Sequence, residues 1–152
     1  MPDQQLLTDI RLRLQRNELR AVYGVATTMR RVPNVPRLRE DLATITGREN
    51  LGQAILLRLL TPRGELSALG HPTYGSRLHE LVGRQNTATT RNLVRLHILE
   101  SLQQEVRVQE VIDLTVTPTP GTRDRIDVEL TVQPVGFSAT VTIGPFVLEL
   151  AP

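Results

Sequence analysis

Residues 41–111 read DLATITGRENLGQAILLRLLTPRGELSALGHPTYGSRLHELVGRQNTATTRNLVRLHILESLQQEVRVQEV, and the order of pieces in this run decides the fold. Leu42, Thr44 and Thr46 alternate with Ala43 and Ile45 up to Gly47, which predicts a short strand. Gly47-Arg48-Glu49-Asn50 then reads as a helix start, with Asn50 or a neighbour as the cap. Leu51, Ala54, Ile55 and Leu59 recur at helical spacing, and Leu56, Leu57 and Leu60 widen the apolar surface, so this is the expected central core helix. Pro62 ends it, because proline lacks an N–H and disfavours the helical conformation of the residue before it. Leu78, Leu81 and Val82 predict a short amphipathic helix after Tyr74-Gly75-Ser76, and Gly83 to Thr90 is turn-like. From about Thr90 to Gln104, the residues Leu93, Val94, Leu96, Ile98, Leu99 and Leu102 predict a third helix.

Beyond this run the period shortens to two. Val106 and Val108, then Ile112, Leu114 and Val116, read as a strand with a bulge near Gln109–Val111. A loop, TPTPGTRD, covers Thr117 to Asp124. Ile126, Val128, Leu130 and Val132 alternate with Asp127, Glu129, Thr131 and Gln133, giving one apolar and one solvated face. Phe137, Ala139, Val141 and Ile143 predict a further strand, extended past Gly144-Pro145 by Phe146, Leu148 and Leu150.

Toward the N-terminus, Ile10, Leu12 and Leu14 alternate with Arg11, Arg13 and Gln15 as in a strand, although Gln5 to Leu14 also fits a weak helix. The two prolines of Arg30 to Arg39 (RRVPNVPRLR) predict a loop or extended arm. The expected fold class is α+β, with central helices packed against a mainly antiparallel C-terminal β-sheet. The 152 residues suit a single domain, with 1–40 as an N-terminal strand and arm and 137–152 as a C-terminal strand extension.

Composition narrows the function. An aromatic share of 3% leaves few of the large groups that usually line small-molecule pockets. Without cysteine there are no disulfides and no Cys-based metal sites. No apolar run approaches the roughly 18 residues that span a bilayer, and MPDQQLLTDIRLRL lacks the apolar core of a secretory signal. The expectation is a cytoplasmic chain without membrane contact. All 18 basic residues are Arg, which pairs with carboxylates in a planar, bidentate way. Net charge runs from +3 over residues 1–49 through +2 over 50–110 to −3 over 111–152. A basic front and an acidic tail suit contact between protein copies or neighbours. Nucleic acid would want a denser basic face with stacking aromatics, so no nucleic-acid partner is expected.

No motif supplies a catalytic set. His71, His79 and His97 form no zinc-binding pair at helical spacing, and His97 reads as a structural imidazole. Ser67, Ser76, Ser101 and Ser138 lie in no nucleophile elbow, and Gly64, Gly70 and Gly75 are separate turn glycines. Asp127 and Glu129 share a strand face, but the solvated one, and Glu65 stands alone after a turn. No catalytic, metal or cofactor residue is expected. The site to single out is Glu105-Val106-Arg107, where the long helix gives way to strand. Its charges could pair with each other, or Arg107 could clamp a partner's carboxylate or carbonyls.

Taken together, Asp41-Leu42 to Gly47, Glu49-Asn50-Leu51-Gly52-Gln53-Ala54-Ile55, Leu59-Leu60-Thr61-Pro62-Arg63-Gly64-Glu65, Pro72-Thr73-Tyr74-Gly75 and the helix entering Glu105-Val106-Arg107-Val108 carry a resemblance. Over roughly residues 41–135 the chain resembles the small baseplate wedge proteins of contractile phage tails and related injection systems. That family includes the sheath initiator and carries an old lysozyme-like label. Its members usually have Glu-Pro-Arg at the corner, where this chain has Val106 in place of Pro. The resemblance implies a non-enzymatic structural protein, present in several copies around a ring. It implies docking on the wedge through Glu105, Val106 and Arg107, proximity to hub or tube-proximal baseplate proteins, and initiation of the sheath by strand pairing. Arg11, Arg13, Asp127 and Glu129 could then set the strand register by charge. The alternative from the old label is a peptidoglycan-degrading enzyme of the tail.

Overall fold

A computed structural model describes residues 7–17, 20–34 and 36–150. The N-terminal reading of residues 1–6 and the last two residues of the expected C-terminal extension lie outside them. By internal contacts the chain divides into two compact units, Met1–Gln53 and Ala54–Pro152.

The first unit is built from six short strands in three two-stranded antiparallel ribbons: β1 (Thr8–Ile10) with β6 (Thr44–Thr46), β2 (Leu12–Asn17) with β3 (Arg20–Val25), and β4 (Thr27–Arg31) with β5 (Leu38–Leu42). The ribbons meet at the residues between them. Arg11 N–H donates to Ala43 O at 2.8 Å, Ala43 N–H donates to Ala26 O at 2.9 Å, and Ala26 N–H donates to Arg11 O at 2.9 Å. This closed ring satisfies the backbone groups that each strand would lose on switching partner, as buried main chain requires. Ala26 is buried at the ring. Gln53 braces one side of it: its amide donates to Ile10 O and accepts from Leu12 N–H, both at 2.9 Å.

The strands expected at Ile10–Leu14 and Leu42–Thr46 are present, the first as strand and not helix, each interrupted where the ring forms. Residues 30–39 are a loop only between their ends and not an extended arm: Arg30 pairs with Arg39 and Arg31 with Leu38 across a β-hairpin. Both prolines sit in its loop, where the left-handed region (φ +66°) is occupied by Asn34, a residue that tolerates it.

Helix α1 (Gly47–Leu60) follows β6 directly. Gly47, at φ +63°, makes the turn, so the helix begins before Asn50, which lies buried in the first turn and not at the cap. Its buried stripe is narrower than the leucine content suggests: Leu51, Ile55 and Leu59 are buried, whereas Leu56, Leu57 and Leu60 are partly exposed.

The rest of the second unit is helix on sheet, as expected for the α+β class. The predicted middle helix is one 3-10 turn, Leu78–Leu81, whose leucines are both buried. Helix α2 (Ala88–Leu102) starts at Thr87, whose side chain accepts Thr90 N–H at 3.2 Å. Thr90, Val94, His97, Ile98, Ser101 and Leu102 are its buried stripe, and it packs on the sheet. That sheet is antiparallel in the order β7 (Val108–Pro118), β8 (Arg125–Pro134), β9 (Val141–Glu149). Ile126, Val128, Leu130 and Val132 of β8 are fully buried, facing away from the polar side as the alternation predicts.

The bulge expected near Gln109–Val111 appears as two register shifts, between Val108 and Glu110 and between Val111 and Asp113. The second leaves Ile112 half exposed. β9 does run past Gly144-Pro145, but Phe137 and Ala139 lie in the connection from β8 and not in strand. Gly144 (φ +103°) is required there, since a Cβ would lie 2.6 Å from Val128 O.

Candidate partner-docking corner

The two separated motifs Thr61-Pro62-Arg63-Gly64 and Pro72-Thr73-Tyr74-Gly75 are one structure. Thr61 O accepts Ser76 N–H at 2.8 Å and Arg63 N–H donates to Ser76 O at 2.9 Å, a parallel bridge that closes the loop after α1. Gly75 lies against it with φ +104°, and a Cβ there would stand 2.4 Å from Thr61 O. Only glycine meets both the dihedral and the space. Ser76 Oγ donates to Leu59 O, and Ser101 Oγ of α2 donates to Gly75 O at 3.1 Å, so two buried hydroxyls tie the loop to both helices. Arg63 adds an ion pair to Glu100 of α2 at 2.7 Å. The hydrogen bond from Arg63 holds the Glu100 carboxyl below its ordinary range, against its desolvation.

This loop puts Tyr74, and the last turn of α1 puts Arg58, beside the corner at the end of α2. Leu102 ends the helix, and Glu105 N–H then donates to Leu102 O while Val108 N–H donates to Glu105 O, both at 3.0 Å. The backbone between is therefore a tight turn, and the strand starts only at Val108, two residues later than the Val106 alternation implied.

Glu105 is 5% exposed. Arg107 grips it bidentately, Nε to Oε1 at 2.7 Å and Nη2 to Oε2 at 3.1 Å. Arg58 approaches Oε2 at 3.4 Å, and its guanidinium lies 4.6 Å from the Tyr74 ring centroid. Burial pushes the Glu105 carboxyl up, but hydrogen bonds and charge from Arg107, with the charge of Arg58, outweigh it and hold the carboxyl below its ordinary range. Burial likewise raises the Tyr74 phenol, partly offset by Arg58.

Of the two readings open for the corner, the intramolecular pair is the one formed. The fork of Arg107 is occupied by Glu105, and the side chain turned outward is Val106, at 87% exposure. Arg107 O accepts Val135 N–H at 2.9 Å, which fastens the corner to the end of β8. Sequence reasoning missed Arg58 and Tyr74. The available signal was a lone arginine inside the apolar run Leu56-Leu57-Arg58-Leu59-Leu60. Beside the corner, a recess of about 330 Å³ is lined by Arg58, Gly70, His71, Pro72, Thr73, Tyr74 and Gln104.

The other residues singled out have local partners or none. Arg11 pairs with Glu49 at 2.8 Å, and Asp127 accepts from Thr119 Oγ1 at 2.8 Å. Arg13 and Glu129 are exposed, with no ion pair among the described residues. His97 is buried on α2, as a structural imidazole would be, with Nδ1 3.6 Å from Glu100. Among the described residues no cluster of three His, Asp or Glu could hold a metal ion. No helix among them is long and apolar enough to cross a membrane.

Neither a protein-family model nor a curated protein matches the chain. Its fold is similar to a solved structure from Geobacter sulfurreducens described as a candidate tail lysozyme. The TM-score is 0.58 at 21% identity, over 68% of this chain and 91% of that one. The two share a fold.

Proposed function

We propose that this chain is a structural, non-enzymatic component of a contractile-tail baseplate or related injection device. In this reading it docks on the wedge through the Glu105-Val106-Arg107 corner and starts the sheath by strand pairing. The observation that carries the docking role is Val106. An apolar side chain 87% exposed sits on a turn whose flanking Glu105 and Arg107 pair with each other, with Arg58 on the same carboxylate. A rigid apolar knob with a satisfied polar base binds a groove at little entropic cost. The fold shared with a protein described as tail-related supports the setting, and the open edges of β7 and β9 among the described residues supply main-chain groups for an added strand. Wedge, sheath and hub or tube-proximal proteins are the proposed partners, with several copies placed around a ring.

The alternative, peptidoglycan cleavage, is favoured only by the word lysozyme in the description of that neighbour. Glycoside hydrolysis uses two carboxyls across the bond, one of them with a raised pKa. The recess has no Asp or Glu in its lining, and the buried acid nearest to it, Glu105, has its pKa lowered.

The test is incorporation into baseplates assembled with Val106→Asp. Near-complete loss of incorporation with an unchanged melting temperature is expected. Full incorporation of Val106→Asp, and of Glu105→Ala and Arg107→Ala, would remove the corner from the interface. Clearing of a cell-wall substrate by purified protein, abolished by Glu65→Gln, would establish the enzymatic reading instead.

A further inference from the structure

We infer that the β4–β5 ribbon of one copy docks on the solvent face of the β7–β9 sheet of a second copy, head to tail. The inference stands whether or not the chain is a tail component.

Every residue of β4 and β5 is exposed. Strand pairing puts Thr28, Arg30, Arg39 and Asp41 on one ribbon face, with Arg30 directly opposite Arg39. Like charges facing each other across a ladder are unfavourable. Asp41 relieves the pair only in part, at 3.6 Å from Arg30 with both side chains at least half exposed. Arg31 and Arg37 flank the hairpin loop, and no ion pair among the described residues reaches Arg31, Arg37 or Arg39. The opposite ribbon face carries Met29, Leu38 and Leu42, each at least half exposed. A two-stranded ribbon with nothing packed on either face is marginal in water, so a partner surface that neutralises the arginines would stabilise it.

The chain itself carries a surface of opposite charge. The ladder puts Glu110, Asp113 and Thr115 of β7, Asp127, Glu129 and Thr131 of β8, and Glu149 of β9 on the side opposite the buried valines. One arginine on that side, Arg125, is already paired with Glu149 at 3.1 Å. Asp113 and Glu129 are exposed diagonal neighbours, since Asp113 lies opposite Thr131 and Thr115 opposite Glu129. Two arginines on one ribbon face can thus meet two exposed carboxylates on the sheet face, with Arg30 exchanging its long contact to Asp41 for the new partner. The two surfaces differ, so the contact is heterologous and repeats from copy to copy, as in a ring or a filament.

Sedimentation of the full chain over a range of concentrations tests this. At about 0.1 M salt the wild type should self-associate, and at about 1 M, where screening shortens from about 10 Å to about 3 Å, it should not. Arg30→Glu/Arg39→Glu and Asp113→Arg/Glu129→Arg should each weaken association about tenfold or more. Mixed one to one, the two reversed variants should associate again, because each ribbon then meets a sheet of opposite sign. Circular dichroism checks that the variants fold, and Arg30→Gln/Arg39→Gln, with an intermediate loss, serves if the reversal does not. A monomeric wild type at low salt overturns the proposal, as does a mixture that fails to recover. Arg30→Glu/Arg39→Glu abolishing DNA binding while leaving self-association intact would also overturn it, and would assign the ribbon to nucleic acid.

Discussion

The two units reach order by different means. Among the described residues, fifteen apolar side chains are buried beyond Gln53, but only Ala26, Ile45 and Leu51 before it. The second unit is a side-chain core with the main chain wrapped around it. The first is a main-chain construction, in which three backbone hydrogen bonds close a ring and most of the side chains described there face water. Burial contributes about 25 cal/mol per Å², so among the described residues the second unit holds most of the hydrophobic stabilisation. The first depends on hydrogen bonds with a net worth of about 1 kcal/mol each.

That contrast can be broken most forcefully at Gly75. Gly75→Val drives a Cβ into Thr61 O at a dihedral valine does not tolerate, and should destabilise the second unit by about 4 kcal/mol or more. Hydrogen exchange should show the sheet amides losing protection while the ring amides of Arg11, Ala26 and Ala43 change little. Equal loss in both would mean that the ring depends on the core.

Glu105→Gln should cost about 2–4 kcal/mol at neutral pH in urea denaturation, because Arg58 and Arg107 keep their burial and lose their counter-charge. The folded-state pKa of Glu105 is depressed, so its contribution is present above the ordinary carboxylate range. It is lost as pH falls through the lower folded value. The gap between wild type and variant should therefore shrink on acidification below about pH 4. A gap independent of pH would assign the cost to packing.

Ala43→Pro removes the N–H that closes the ring on Ala26 O. About 1–3 kcal/mol of local stability should be lost, read as faster exchange in the three ribbons with the sheet unchanged. The smallest effect is expected at Val106→Ser, within about 0.5 kcal/mol, since the side chain has almost no intramolecular packing to lose. A larger thermal shift there would mean that the corner is internally supported and not held ready for a partner.

The same contrast governs what could be read in advance. Alternation over Ile126–Gln133 and the spacing of α2 were legible because one face of each element is buried, and burial selects residue type at every second or fourth position. The ribbon β4–β5 was illegible for the opposite reason. Neither of its faces is buried, so no alternation marks Thr27–Arg31 or Leu38–Leu42, and the prolines of its loop dominated the pattern. At the corner, Glu105 and Arg107 were visible as a pair two residues apart. Arg58 showed only as a lone arginine in an apolar run, and Tyr74 not at all, because the parallel bridge at Ser76 that holds its loop joins segments with no shared periodicity.

The ring of Arg11, Ala26 and Ala43 also bears on how the chain can change over time. Each hairpin leaves the ring and returns to it, so a hairpin lengthened by one residue pair on both strands alters only its own tip. Adding pairs two at a time would even preserve which side each residue faces. The junction thus works as a socket, in which ribbons of different length and charge can be exchanged while the helix that follows keeps its starting point.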